Sequence, residues 1–153
     1  MDVVTITEQG GQGRTLTLTG PALPVAGSLR VSSSTMLRTE HYGRASVQQV
    51  DGFTDDPVEA DGLWCDVQLA PGEWATFDGE GLATGDAIRE ALEDLQRAGE
   101  VLRMQAGSIV RYGRFERIEF TLYSWGELGW SWSFVPFARS SVQPTIATAP
   151  RPE

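Results

Sequence analysis

Residues 121–137 read TLYSWGELGWSWSFVPF, and the run Trp130-Ser131-Trp132-Ser133-Phe134 within them constrains the fold more than any other feature of the chain. Side chains alternate across a strand with period two, so an extended backbone places every large ring on one face and every small hydroxyl on the other. Each ring hides about 150–250 Å² when buried. Trp130, Trp132 and Phe134 are therefore expected in the core, beneath a covering helix. The residues before them complete a hairpin. In the strand over 114–123, Glu116, Ile118, Phe120 and Leu122 share one face, and Phe115, Arg117, Glu119, Thr121 and Tyr123 share the other. Ile118 and Phe120 join the expected core. Trp125 falls in the turn beside Gly126 and Glu127, away from the strand face, so Trp125 and Glu127 are candidate contact residues.

One helix is expected. From Asp86 to Ala98 the apolar residues Ile88, Ala91, Leu92 and Leu95 recur at three and four, with Glu90, Glu93, Asp94 and Arg97 on the other side. Thr84 or Asp86 caps its start, and Gly99 ends it. Ile88, Leu92 and Leu95 form its core stripe. Elsewhere the pattern is of strands. Val3 to Thr7 and Thr15 to Thr19 alternate on either side of the glycine-rich EQGGQGR and read as a hairpin. Residues 28–50 carry β-type residues for two or three strands. Residues 51–62, DGFTDDPVEADG, read as a turn-rich acidic loop, GLWCDVQL as a strand, residues 70–85 as a long loop, and Val101 to Gln105 as another strand. The expected class is α+β, mostly β: an antiparallel sheet, sandwich or open barrel with one amphipathic helix packed on it. A single domain over 1–139 is followed by an extended arm over 140–153, whose three prolines and lack of helical period keep it from folding alone.

Charge excludes several function classes. The 153 residues hold 21 acids against 12 bases, for a net charge of −9, and every base is arginine. A duplex binder gains most of its affinity from basic side chains on phosphates, so direct nucleic-acid binding is not expected. No apolar run approaches the roughly 20 residues that span a bilayer, and MDVVTITEQGG lacks the basic and apolar regions of a signal peptide, so no membrane insertion is expected.

Chemistry finds little purchase. The single cysteine, Cys65, sits between Trp64 and Asp66 in a strand, and His41 is the single histidine; neither falls into zinc-ligand spacing. Gly10, Gly11 and Gly13 precede a strand, whereas a phosphate loop needs Lys-Ser/Thr and a helix. Asp55, Asp56, Glu59 and Asp61 lack the calcium-loop spacing and read as solvated acids. The carboxylate pairs Asp55/Asp56 and Glu116/Glu119 have no visible pocket for acid–base work. No catalytic residue, metal or cofactor is expected. Arg111, Arg114 and Arg117 form a small basic group suited to bidentate pairing with carboxylates, which makes Arg111 and Arg114 candidate contacts unless Glu116 and Glu119 balance them.

The order of these pieces resembles the N-terminal domain of phage and prophage baseplate proteins that often carry a C-terminal LysM module. The resemblance runs from about Gly20 to Phe137. It rests on a helix of the L…L…G kind (Leu92, Leu95, Gly99), an Arg-x-Gly turn (Arg111, Gly113) and a final strand with Leu128, Trp130 and Phe134. It implies a structural part of a contractile tail, joining tube or hub to wedge or sheath proteins in about six copies, made in the host cytoplasm and then held in the virion. The 153 residues leave no room for a LysM module, so peptidoglycan binding does not carry over. Pro144, Ile146 and Pro150 in the arm are further candidate contacts, because an extended arm can lie along a neighbour. Two other readings stand beside this one: a carbohydrate-binding β-sandwich with exposed rings, and a tube-initiator or distal tail protein of a non-contractile tail.

Overall fold

A computed structural model describes residues 2–65, 74–123 and 127–137. Ten strands and one helix alternate along the chain: β1 (Val3–Glu8), β2 (Thr15–Thr19), β3 (Ser33–Tyr42), β4 (Ala45–Asp55), β5 (Val58–Cys65), β6 (Ala75–Phe77), β7 (Glu80–Gly81), α1 (Gly85–Ala98), β8 (Leu102–Ala106), β9 (Ile109–Leu122) and β10 (Glu127–Pro136). Eight of them form one antiparallel sheet in the order β5-β10-β9-β8-β1-β2-β6-β7, while β3 and β4, among the described residues, pair only with each other. The sheet is open, ending at β5 and β7. The start of the chain lies in mid-sheet, because β1 pairs with β2 on one side and β8 on the other.

Alternation built the sheet as the residues dictate. Val4 and Ile6 of β1 face Leu18 and Leu16 of β2, and all four are fully buried. In β10, Leu128, Trp130, Trp132 and Phe134 point inward, beside Trp64, Ala60 and Val58 of β5 and Ile118 and Phe120 of β9. Trp130 stacks on Trp64 at 4.9 Å and leans on Trp132 at 4.7 Å, and Phe115 meets Trp132 at 5.4 Å and Phe134 at 5.2 Å. Gly62 makes room for this cluster, since a Cβ there would lie 2.7 Å from the Trp130 ring. The Trp64 indole donates to the Ala22 carbonyl at 3.0 Å, which ties β5 to the short 3-10 turn Gly20–Ala22.

The helix closes the core. Ile88, Ala91, Leu92 and Leu95 are buried in the same apolar cluster as the rings. Thr84 Oγ1 accepts from the Ala87 N–H at 3.1 Å, and Gly99 adopts φ 72°, so both ends terminate as the sequence predicts. Arg114 in β9 donates through Nε to the Gly99 carbonyl at 2.9 Å, locking the helix exit to the sheet.

Four expectations are corrected. Residues 51–62 are not an acidic loop: Asp51 to Asp55 finish β4, and Val58, Ala60 and Gly62 point inward from β5 while Glu59 and Asp61 point out. The alternation was hidden because its inward residues are small. Residues 70–85 are not all loop, since β6 and β7 form a hairpin around Asp78 (φ 54°) and Gly79 (φ 87°). An Asp-Gly pair at positive φ is the residue choice that a two-residue type I′ turn demands. The Arg-x-Gly stretch is no turn; Arg111 and Gly113 lie inside β9. Gly113 is required there by close approach, because a Cβ would lie 2.0 Å from the Val135 carbonyl oxygen. A bulge between Ser133 and Phe134 pairs Ser133 with Arg117 but Phe134 with Phe115. It skips Glu116, so Phe115 swings to the core face that period two had denied it. Of the two or three strands expected over residues 28–50, the structure forms two, β3 and β4.

Candidate interaction surfaces

The β3–β4 ribbon is the most unusual part of the molecule. Its strands pair in register from Ser33↔Asp55 to Tyr42↔Ala45, with Gly43 at φ 63° in the first turn position. At roughly 3.3 Å per residue, strands of this length reach about 30 Å. From Ser32 to Asp51 every residue except Glu40 is exposed, so the ribbon stands clear of the body. Partners across an antiparallel pair share a face. Leu37, Val50 and Phe53 therefore occupy one side, and Met36, Tyr42 and Val47 the other. Each of these six keeps 49% to 60% of its surface open. A lone hairpin is marginal in water, and both faces of this one carry apolar side chains that stay half open to solvent.

The root of the ribbon meets the body through charged and polar side chains. Asp55 is buried and pairs with Arg111 of β9 at 3.5 Å, their side chains 3% and 19% exposed. Asp56 accepts from the Ser32 and Ser34 hydroxyls at 2.9 Å. Near the tip, Arg38 pairs with Glu40 at 3.5 Å and Tyr42 donates to Glu40. Arg44 in the turn makes no ion pair among the described residues.

A second surface lies on the outer face of β5, β10 and β9. Register sets rows across the three strands: Leu63–Gly129–Thr121, Asp61–Ser131–Glu119 and Glu59–Ser133–Arg117. Gly129, Ser131 and Ser133 make a low floor between taller walls. The result is an open groove of about 580 Å³ that includes Asp61, Leu63, Glu119, Tyr123 and Val25. The Tyr123 ring lies against Gly129, where an added Cβ would sit 3.0 Å from it. Glu119 pairs loosely with Arg117 at 3.6 Å between exposed side chains, and Glu59 pairs with Arg30 at 3.6 Å. The groove is acidic on both walls.

The sequence-derived candidates separate accordingly. Trp130, Trp132 and Phe134 are buried, as are Ile88, Leu92 and Leu95, while Ile118 and Phe120 are partly buried against the same cluster. The aromatic row is therefore core and offers no face to a sugar. Glu127 is half-buried in β10 opposite Cys65. Arg111 is engaged with Asp55, and Arg114, exposed on β9, donates to the helix exit. Trp125, Pro144, Ile146, Pro150 and the 140–153 arm lie outside the described residues. Of the carboxylate pairs, Asp55 is buried, Asp56 holds serines, and Glu116 is exposed at the bulge. Among the described residues no group of three or more His, Cys, Asp or Glu side chains is placed to hold a metal ion, and no helix is long and apolar enough to cross a membrane. Sequence reasoning missed both surfaces. The β-type residues over 28–50 signalled strands, but only topology shows that these strands pair with no other strand among the described residues. The chain matches no protein-family model and no curated protein.

Proposed function

We propose that this chain is a structural component of a phage-type tail baseplate, joining the tail tube or hub to surrounding wedge or sheath proteins by protein–protein contacts. The observation that carries the reading is the β3–β4 ribbon, rooted in the body through Asp55–Arg111 and apolar on both faces. A surface of that kind is unfavourable in isolation and becomes favourable when partners cover it. The order of helix, strand and tryptophan-bearing strand that resembles baseplate proteins supplies the kind of assembly. A ribbon open on two sides suits a part wedged between neighbours, and about six copies follow from the symmetry of such tails. The chain is then made in the host cytoplasm and retained in the virion tail.

Cross-linking mass spectrometry on purified particles tests this, with copy number measured against the tube protein. The expected result is links from residues of the β3–β4 tip or the 140–153 arm to tube, hub, wedge or sheath proteins, at about six copies per particle. Absence of the chain from particles overturns the reading. Links confined to the tube end of a non-contractile tail replace it with a tube-initiator role.

A further inference from the structure

The ribbon and the groove are complementary, and we propose that the β3–β4 tip of one copy of this chain docks in the β5–β10–β9 groove of a second copy. The inference rests on the reading of the chain as a contact-making structural part and names the partner of one contact. Charge is the first argument. The molecule carries a net charge of −9, yet the tip presents Arg44 without an ion pair among the described residues. The groove sets Asp61 and Glu119 on opposite walls of one row, with the small Ser131 between them. An arginine entering over Ser131 meets Asp61 on one side, a carboxylate that a planar guanidinium can grip in bidentate fashion, and on the other Glu119, which it shares with Arg117 at 3.6 Å.

Size is the second argument. The walls stand on strands two positions apart, about 9.6 Å between strand centres, which leaves room for one extended side chain but not for the two strands of a hairpin. The Arg44 side chain therefore enters alone over a floor of Gly129 and Ser131, while the backbone of the tip stays at the rim. Val25 and Leu63 at the rim then meet Tyr42 and Val47 beside the tip. All four are exposed in the single chain.

The contact uses different surfaces on the two copies. Such head-to-tail contacts generate rings when the rotation closes and filaments when it does not. No further protein is required for self-association, so the full purified chain is the right material. Light scattering after size exclusion and sedimentation equilibrium should give masses rising with concentration through multiples of 16.7 kDa. Arg44→Glu alone, and Asp61→Arg with Glu119→Arg, should each weaken association more than about tenfold, because like charges then meet at the tip or in the groove. Mixing the two variants in equal amounts should restore it. Every tip in the mixture then finds a groove of opposite sign.

All three positions are exposed, and unchanged circular dichroism and melting of each variant certify the fold. A wild type that stays at 16.7 kDa at every concentration, or variants that fail to rescue each other, overturns tip-to-groove docking. Those outcomes leave the baseplate reading intact wherever particles contain the chain. Absence from particles overturns that reading and leaves a demonstrated rescue standing.

Discussion

Glu8 ends β1 with its side chain 1% exposed, a costly place for a carboxylate. Arg14, across the glycine-rich turn, answers it from three donors: its backbone N–H and Nε reach Oε1 and its Nη2 reaches Oε2, all at 3.0 Å. These hydrogen bonds hold the Glu8 carboxyl below its ordinary value of 4.5, against the upward push of burial. A depressed folded value means the pair contributes fully above pH 4.5, and the contribution is lost as pH falls through the folded value. Glu8→Gln should therefore cost about 1.5–3 kcal/mol at pH 7, and the gap to wild type in urea denaturation should narrow toward pH 3. Gly113 makes a different demand. With the Val135 carbonyl 2.0 Å from where a Cβ would stand, Gly113→Ala forces β9 and β10 apart. We expect a loss of about 1–3 kcal/mol, read as a lowered melting temperature.

At the scale of elements, the ribbon and the sheet should respond independently. Joining Thr35 to Phe53 through a two-residue Asn-Gly turn removes the exposed arm but keeps the Asp55–Arg111 and Asp56–serine clamps at its root. Circular dichroism and the melting temperature should be nearly unchanged, while incorporation into particles disappears. What the sequence made legible follows the strength of local patterns. The α1 stripe, its Thr84 and Gly99 ends, and the Trp130–Phe134 row announced themselves because large apolar side chains recur at the period of their element. β5 was concealed because Val58, Ala60 and Gly62 are inward yet small, their space being filled by rings from β10. The Phe115 face was misassigned because a bulge is a property of two paired strands and leaves no mark on either one. The groove is still less local. Its floor of Gly129, Ser131 and Ser133 reads as filler between tryptophans until register sets Asp61 and Glu119 beside it.

For the whole molecule, the sheet edges decide how it meets others. The β5 edge is partly covered by its own chain: Val25 N–H donates to the Asp61 carbonyl, and Arg30 pairs with Glu59. The far edge, β7, is two residues long. Short or covered edges discourage strand-to-strand growth, so among the described residues the ribbon and the outer face are the more open surfaces.

The placement of β1 and β2 in mid-sheet has one more consequence. A single cut after Arg44, in the exposed tip, divides the chain into 1–44 and 45–153. Yet the first piece supplies two interior strands of a sheet whose remaining strands belong to the second. The halves are interleaved like the fingers of two hands, through the β1–β8, β2–β6 and β3–β4 ladders. A protease site engineered at the tip should give two fragments that co-elute and part only in denaturant. Expressed separately and mixed, they should reconstitute the fold, which makes this chain a natural split protein.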